Sequence, residues 1–343
     1  MRPTKNAKKM ENSMETNQDA KRDDEVIDVG TDRGLFHTLF DFDTMRVAMK
    51  MSNGNEAQSI LADIRRQGPE RELRRVPDDY LARCARLRAD YPNFSGMIDE
   101  SLIPELALQH VTNSHVSLVP TVLLGPPGVG KTIFLKALAE AFELPFTRMN
   151  LESSQAGFEI IGTSRGWSNA TPGHLLSWLG RQKICNGVFA LEELEKATGS
   201  NQFPVANILL QLLEPSTGSE FSDACIPELK LDIRPVNFLF TANSLDGISA
   251  PLQSRLHVIE IPALTPEQAQ HVALRQYEQL ITSLNLPCKA PRLTDTGLKL
   301  LAEESPRRQR ILIRLALGRA IAEQRSELVF QPQPTTVKPR IGF

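Results

Sequence analysis

Cysteine is scarce in this chain: four residues in 343, at Cys84, Cys185, Cys225 and Cys288, and no CxxC pair among them. Spacing this wide suggests neither a zinc site nor a disulfide framework, and it fits a reducing, cytoplasmic setting. Long apolar runs are missing too. None approaches the roughly 18 residues that span a bilayer, and the polar N-terminus is unlike a secretory signal, so nothing points to a membrane. Net charge is almost absent, -2 from 39 basic and 41 acidic side chains, which excludes a protein held to nucleic acid by bulk charge. What is present, 41% hydrophobic and 23% charged residues, is the composition of a globular chain, with length for about two domains.

Residues 1–34 mix both charge signs and nearly lack large apolar side chains. Too little surface can be buried there to offset ordering, which predicts a disordered tail. Residues 35–92 read as a small helical element; after Pro77, Leu81, Cys84 and Leu87 fall on one helix face. Over residues 65–88 this element carries Arg65, Arg66, Arg71, Arg74, Arg75, Arg83, Arg86 and Arg88 against four acids, a patch for nucleic acid or an acidic partner, or an ordinary solvated helix face.

From residue 93 to 264, short apolar runs alternate with helical patterns: TVLLG (121–125), FTRMNL (146–151), GVFAL (187–191), VNFLFTAN (236–243) and HVIEIP (257–262). The alternation predicts an α/β fold, a parallel sheet covered by helices on both faces. Residues 265–330 read as all helical. Thr265-Pro266-Glu267-Gln268 is a capping-box sequence with proline at the first helical position, and Ser305-Pro306 opens a later helix in the same way. Residues 331–343 form a proline-rich tail.

The most specific motif is GPPGVGKT, spelled by Gly125, Pro126, Pro127, Gly128, Val129, Gly130, Lys131 and Thr132. It follows a predicted strand and opens a predicted helix, the context in which a P-loop works. Its glycines let backbone N–H groups converge on phosphates, Lys131 reaches the β and γ oxygens, and Thr132 is a magnesium ligand. ATP and Mg2+ are the cofactors this implies. Roughly 60 residues later Glu192 and Glu193 end the run GVFALEE, a separation that lets their strand lie beside the P-loop strand. Two acids at such a strand end divide the work: Glu192 holds magnesium and Glu193 polarises the attacking water. An aspartate is usual at the first position, so Glu192 keeps the charge and moves it outward by one methylene.

Across Phe94 to Glu323 the chain resembles the AAA+ ATPase module of Lon proteases. GPPGVGKT is similar to the Lon P-loop, NGVFALEELEKA to its Walker B segment with Asp changed to Glu, and FTANSLDGISAPLQSRLHVIEIP to its sensor 1 and arginine-finger segment. The resemblance implies a nucleotide-binding αβα domain with a helical lid, self-association into a ring, usually a hexamer, and ATP hydrolysis that threads a protein substrate through a pore. By position it makes Asn243 the sensor 1 residue and Arg255 an arginine finger acting on a neighbouring subunit. It offers Arg307 or Arg308 as sensor 2, with Arg307 favoured by the downstream GRA at Gly318 to Ala320. IGTSRGWSNATPG, Ile161 to Gly173, resembles the Lon pore loop, with Trp167 at the substrate-gripping aromatic; core packing is the competing explanation for Trp167. After the lid about 20 residues remain, fewer than the Lon Ser-Lys protease domain needs, so a separate peptidase or effector chain is expected.

Overall fold

The computed structural model describes residues 34–52, 54–152, 156–167, 169–197, 205–286 and 290–330. The expected tails, but for Gly34, lie outside them, as does Cys288. From Leu35 onward the residues belong to one structural unit.

Strand β1 (Leu35–Thr38) opens it and pairs antiparallel with β2 (Glu70–Leu73), Leu35 opposite Leu73 and Thr38 opposite Glu70. Between them run α1 (Phe42–Met51) and α2 (Asn55–Gln67), and after them α3 (Tyr80–Asp90) and α4 (Ile103–Val111). This corrects the purely helical expectation for residues 35–92. Two four-residue strands are too short to display an alternation, and β2 turns a charged side chain inward: Arg71 is 1% exposed, its Nη2 donating to the Ile64 carbonyl at 3.3 Å. The arginines of this region do not form one basic face. Arg66 pairs with Asp63, Arg74 with Glu72, Arg83 and Arg86 with Asp79, and Arg88 with Asp99.

The apolar runs of the central region all become strands: β3 (Thr121–Leu124), β4 (Phe146–Asn150), β5 (Val188–Glu192), β6 (Asn237–Ala242) and β7 (His257–Glu260). Helices α5 (Lys131–Ala141), α6 (Ala156–Ile161), α7 (His174–Arg181), α8 (Val205–Leu213), α9 (Pro215–Gly218) and α10 (Ala250–Gln253) connect them. The strands form a five-stranded, all-parallel sheet in the order β4-β5-β6-β3-β7. Separate apolar clusters lie on its two faces. One holds Phe189, Leu191 and Phe240, the other Val188, Ala190 and Leu239. Strands covered on both faces need no polar alternation, which is why they read as continuous apolar runs.

One expectation fails here. β5 does not lie beside the P-loop strand, because β6 sits between β3 and β5. Every residue of β6 is buried, so it takes the most covered position in the sheet, although it comes later in the chain. Register then fixes the working edge. Leu124 is opposite Ala242 and Leu191 opposite Phe240, so the chain leaves β3, β5 and β6 at one end of the sheet, through Gly125, Glu193 and Asn243.

Beyond β7 the helices α11 (Pro266–Ser283), α12 (Asp295–Leu301) and α13 (Pro306–Ala322) pack around Ala273, Leu301 and Ile313. The capping box is formed: Thr265 Oγ1 accepts from the Gln268 N–H at 3.2 Å, and the Gln268 side chain returns to the Thr265 N–H at 3.0 Å. Gln309, fully buried, donates to the carbonyls of Ala269 and Leu301 and so ties α13 to α11 and α12. Arg275 of α11 binds Asp90 at the end of α3 through Nε at 2.8 Å, and the His271 ring meets the Ala89 carbonyl at 3.0 Å.

Residues 162–173 leave α6 as a loop with a pinched neck. The Thr163 N–H donates to the Thr171 carbonyl at 3.0 Å, and Cβ atoms added at Gly162 or Gly173 would fall under 3 Å from their neighbours. Asp223, 2% exposed, closes the neck by accepting from the N–H groups of Gly173 and Cys225 at 2.7 and 2.8 Å. Burial pushes its carboxyl from the ordinary 3.8 up to about 7, against the pull of those N–H groups. A carboxyl raised in the folded state favours folding fully below its unfolded value and loses that contribution as pH rises through the folded one. Stability owed to Asp223 therefore falls between about pH 4 and pH 7, with a slope approaching ~1.4 kcal/mol per pH unit. In denaturant titrations across that range, the stability of the protein relative to its Asp223→Asn form should rise on acidification; parallel curves would refute a buried carboxyl that keeps its proton up to about pH 7.

Candidate functional site

The loop from β3 to α5 is shaped by glycine. Gly128 and Gly130 have φ of 86° and 102°, backbone that L side chains resist, and a Cβ at Gly130 would meet nothing within 4 Å, so the space the loop encloses is open. Lys131, first residue of α5, folds back into it. Its Nζ donates to the carbonyls of Gly125 and Pro126 at 2.6 and 3.1 Å and to Asn243 Oδ1 at 3.0 Å, filling the three donor positions of an ammonium. The side chain is buried; that desolvation lowers its pKa, opposed by the charges of Glu195 and Glu193.

An open cleft runs from this loop to the end of β5. Gly128, Lys131, Thr132, Glu192, Glu193, Asn243 and Arg307 all line it. Of the two arginines at the start of α13, it is Arg307 that faces the cleft. Arg308 gives its N–H to the capping Ser305 at 3.4 Å.

The acids are held by cations. Glu192, the last residue of β5, accepts from Arg148 Nη1 at 3.3 Å. Glu193 adopts left-handed backbone, φ 60° and ψ 51°, which swings the chain off the strand into a 3-10 turn over Leu194–Lys196. A non-glycine residue in that region stores of order 1–3 kcal/mol, and such strain clusters at functional sites. Lys196 Nζ lies 3.2 Å from Glu193 Oε2 and 2.7 Å from Glu152 Oε1. The same turn delivers a third acid that sequence reasoning passed over. Glu195 Oε1 accepts from Asn243 Nδ2 at 2.6 Å, and its Oε2 is buried without a hydrogen-bond partner. The signal was in plain view as the last acid of Glu192-Glu193-Leu194-Glu195.

A second, more apolar recess adjoins the cleft through Gly130, Ile133 and Pro306, with Tyr91, Leu264 and Val272 on its walls and the Asp90–Arg275 pair across it. Its lining comes from the N-terminal element, the P-loop and the C-terminal helices together.

Two expected site residues stand apart from the cleft. Arg255 follows α10, where Nη1 donates to the Pro251 carbonyl at 3.1 Å and Nη2 lies 3.4 Å from Glu214 Oε2, both side chains exposed. Trp167 sits on the pinched loop, 52% exposed, its ring 5.3 Å from that of Phe158. Core packing does not account for an indole that open to solvent.

Comparison with known proteins agrees with this geometry. Residues 121–263 match the ATPase family associated with various cellular activities (AAA). The chain is 32% identical over 183 residues to the Lon protease of Mycoplasma genitalium, covering 53% of this chain and 23% of that one. The Lon protease of Neorickettsia sennetsu is 37% identical over 176 residues, 51% and 21% of the two chains. That of Mycoplasma pneumoniae is 31% identical over 209 residues, 60% and 26%. The chain thus spans about a quarter or less of the length of these relatives. No helix among the described residues is long and apolar enough to cross a membrane.

The P-loop is seated by close approach at its first residue. A Cβ at Gly125 would lie 2.3 Å from the Ile261 carbonyl oxygen, backbone that cannot swing away. Gly125→Ala should therefore lower unfolding stability by ~1–3 kcal/mol, the usual range for overpacking. Gly130→Ala meets open space and carries only backbone strain. Calorimetric melting of both variants tests this seating, and a Gly125→Ala protein that melts with the parent would disprove it.

Proposed function

We propose, from the premise that this chain carries an AAA ATPase module of the Lon-like kind over residues 121–263, that it binds and hydrolyses ATP with Mg2+ and uses the energy on a protein substrate. The observation that carries this reading is the convergence of Lys131, Thr132, Glu192, Glu193, Asn243 and Arg307 on one cleft.

The residues fit the nucleotide. Gly125 to Thr132 form the phosphate cradle, Arg307 adds a cation from the lid, and the apolar recess beside Tyr91 suits a base. Thr132 and Glu192 offer the oxygen donors that magnesium takes, and Mg2+ when bound supplies charge neutralisation at the phosphates. Glu193 polarises water, and Asn243 helps orient it. Both acids are engaged by cations in this structure, which favours a second reading: a nucleotide-switched assembly module with slow hydrolysis. The pairing of Arg66, Arg74, Arg83, Arg86 and Arg88 with neighbouring acids weakens the support for a nucleic-acid motor.

Arg255 lies outside the cleft of its own chain, which suits a residue that completes a neighbour's site in a ring, a hexamer by analogy with the family the chain resembles. An arginine supplied in trans is worth about 10³ to 10⁵ in rate in well-studied GTPases. ATPase activity per chain should rise with protein concentration as assembly proceeds. Arg255→Ala should lose at least ~100-fold while binding a fluorescent ATP analogue as before. Activity independent of concentration and of Arg255 would leave the switch reading.

Trp167 is the residue for gripping substrate, with any peptidase or effector supplied elsewhere. Replaced by alanine, it should leave ATPase turnover within about twofold and abolish unfolding of a tagged test protein. Unimpaired unfolding would rule out the pore role.

A further inference from the structure

The third acid of the Glu192–Glu195 run has a geometry that the reading above leaves unused. Asn243 stands between a cation and an anion: Oδ1 accepts from Lys131 Nζ at 3.0 Å and Nδ2 donates to Glu195 Oε1 at 2.6 Å. Chemistry alone assigns the amide orientation, because an ammonium only donates and a carboxylate only accepts. Asn243 is itself exposed just beyond the end of β6, and its side chain is held by these two partners. Glu195 and Lys131 are therefore the two groups that set which way its amide points, and Glu195 is the one that holds its nitrogen. The carboxylate is well placed for that task. Leu194 beside it is 1% exposed and pins the 3-10 turn into the core, and the Lys196 bridge to Glu193 and Glu152 holds the far side of the same turn. Glu195 Oε2 is buried without a partner, a cost that persists only where the surroundings fix the side chain.

We propose that Glu195 is a positioning residue for nucleotide hydrolysis, acting through Asn243: it holds the Asn243 amide with its oxygen toward Lys131 and its nitrogen away. The proposal rests on the hydrolysis reading, and it extends the acid pair at the end of β5 to a working trio. Glu192 is the metal donor, Glu193 the water-polarising group, and Glu195 the anchor of the residue opposite them. It also accounts for the 3-10 turn. An ordinary α-helical start after Glu193 would carry Glu195 around the helix axis, away from β6.

The test is a double-substitution cycle over Glu195→Ala and Asn243→Ala, with Glu195→Gln as the conservative variant. Two quantities are read: kcat against KM for ATP, and the ratio of affinities for fluorescent ATP and ADP analogues, which needs no turnover. Glu195→Ala should lower kcat about tenfold with KM changed less than about threefold, and shift the affinity ratio as Asn243→Ala does. In the Asn243→Ala background, Glu195→Ala should change neither by more than about twofold, the signature of residues acting as one unit. Glu195→Gln, which keeps an acceptor for Nδ2, should restore kcat to within about threefold of the parent. Melting temperatures separate this from misfolding; if the alanine variant does not fold, the glutamine variant and the Asn243 single substitution still decide.

Additive effects, or a Glu195→Ala protein indistinguishable from the parent, would overturn the proposal while leaving the ATPase reading intact. A parent that binds analogue without turnover would refute the hydrolysis reading, and the affinity ratio would still judge Glu195. A parent that binds neither analogue would sink both.

Discussion

Parallel register is the constraint on which the site depends. β3, β6 and β5 are paired so that Leu124 meets Ala242 and Leu191 meets Phe240, and each strand hands over to a loop at the same edge. A slip of one residue would turn every side chain of a strand to the opposite face of the sheet. With both faces of β5 and β6 buried, such a slip would push the core residues Phe189, Phe238 and Phe240 into the wrong cluster. The cores on either side of the sheet thus protect the cleft. Hydrophobic packing sets a register, and the register sets where Gly125, Glu193 and Asn243 emerge.

At that edge the buried lysine and the three acids each have at least one partner, although Glu195 Oε2 is left without one. Lys131 is satisfied by two loop carbonyls and Asn243, Glu192 by Arg148, Glu193 by Lys196, and Glu195 by Asn243. Burying an ion without compensation costs several kcal/mol, so a P-loop lysine that is buried must borrow acceptors from its own loop. These contacts are replaceable. The pair of Glu192 with Arg148, whose side chain is 63% exposed, is of the surface kind worth ~0–1 kcal/mol. Such pairs hold the acids in place at little cost to ligand binding.

Much of this was legible in the sequence, for identifiable reasons. All five sheet strands were visible because burial on two faces leaves nothing but apolar residues, and the P-loop because glycine, lysine and threonine at fixed spacing serve one geometry. Both lid helix starts, Thr265 and Ser305, were legible because capping is local chemistry. What escaped depends on contacts between distant residues. The insertion of β6 between β3 and β5 follows from which strand is best buried and has no mark at any one position. The β1–β2 pair is four residues long and includes the buried Arg71, so neither periodicity nor polarity announces it. Glu195 was overlooked because its role is created by a turn that begins at Glu193 with positive φ, a conformation that propensity does not predict for glutamate. Asp223, 50 residues from Gly173, looked like any polar loop residue until burial made its carboxyl the closure of the Trp167 loop.

The cleft and the Trp167 loop are also physically joined. Arg148, whose guanidinium holds Glu192, lines a groove together with Phe158, Thr163 and His174, and Phe158 packs against Trp167. The path from a cleft carboxylate to the exposed indole is a strand end, one shared groove and a ring contact. On the other side, Asp223 fixes the neck of the loop to the segment leading into β6, the strand that carries Asn243. The loop is therefore tied on one side to β4 through the groove and on the other to the segment that precedes β6. The neck of the loop is pinned, and Trp167 stands beyond it, exposed.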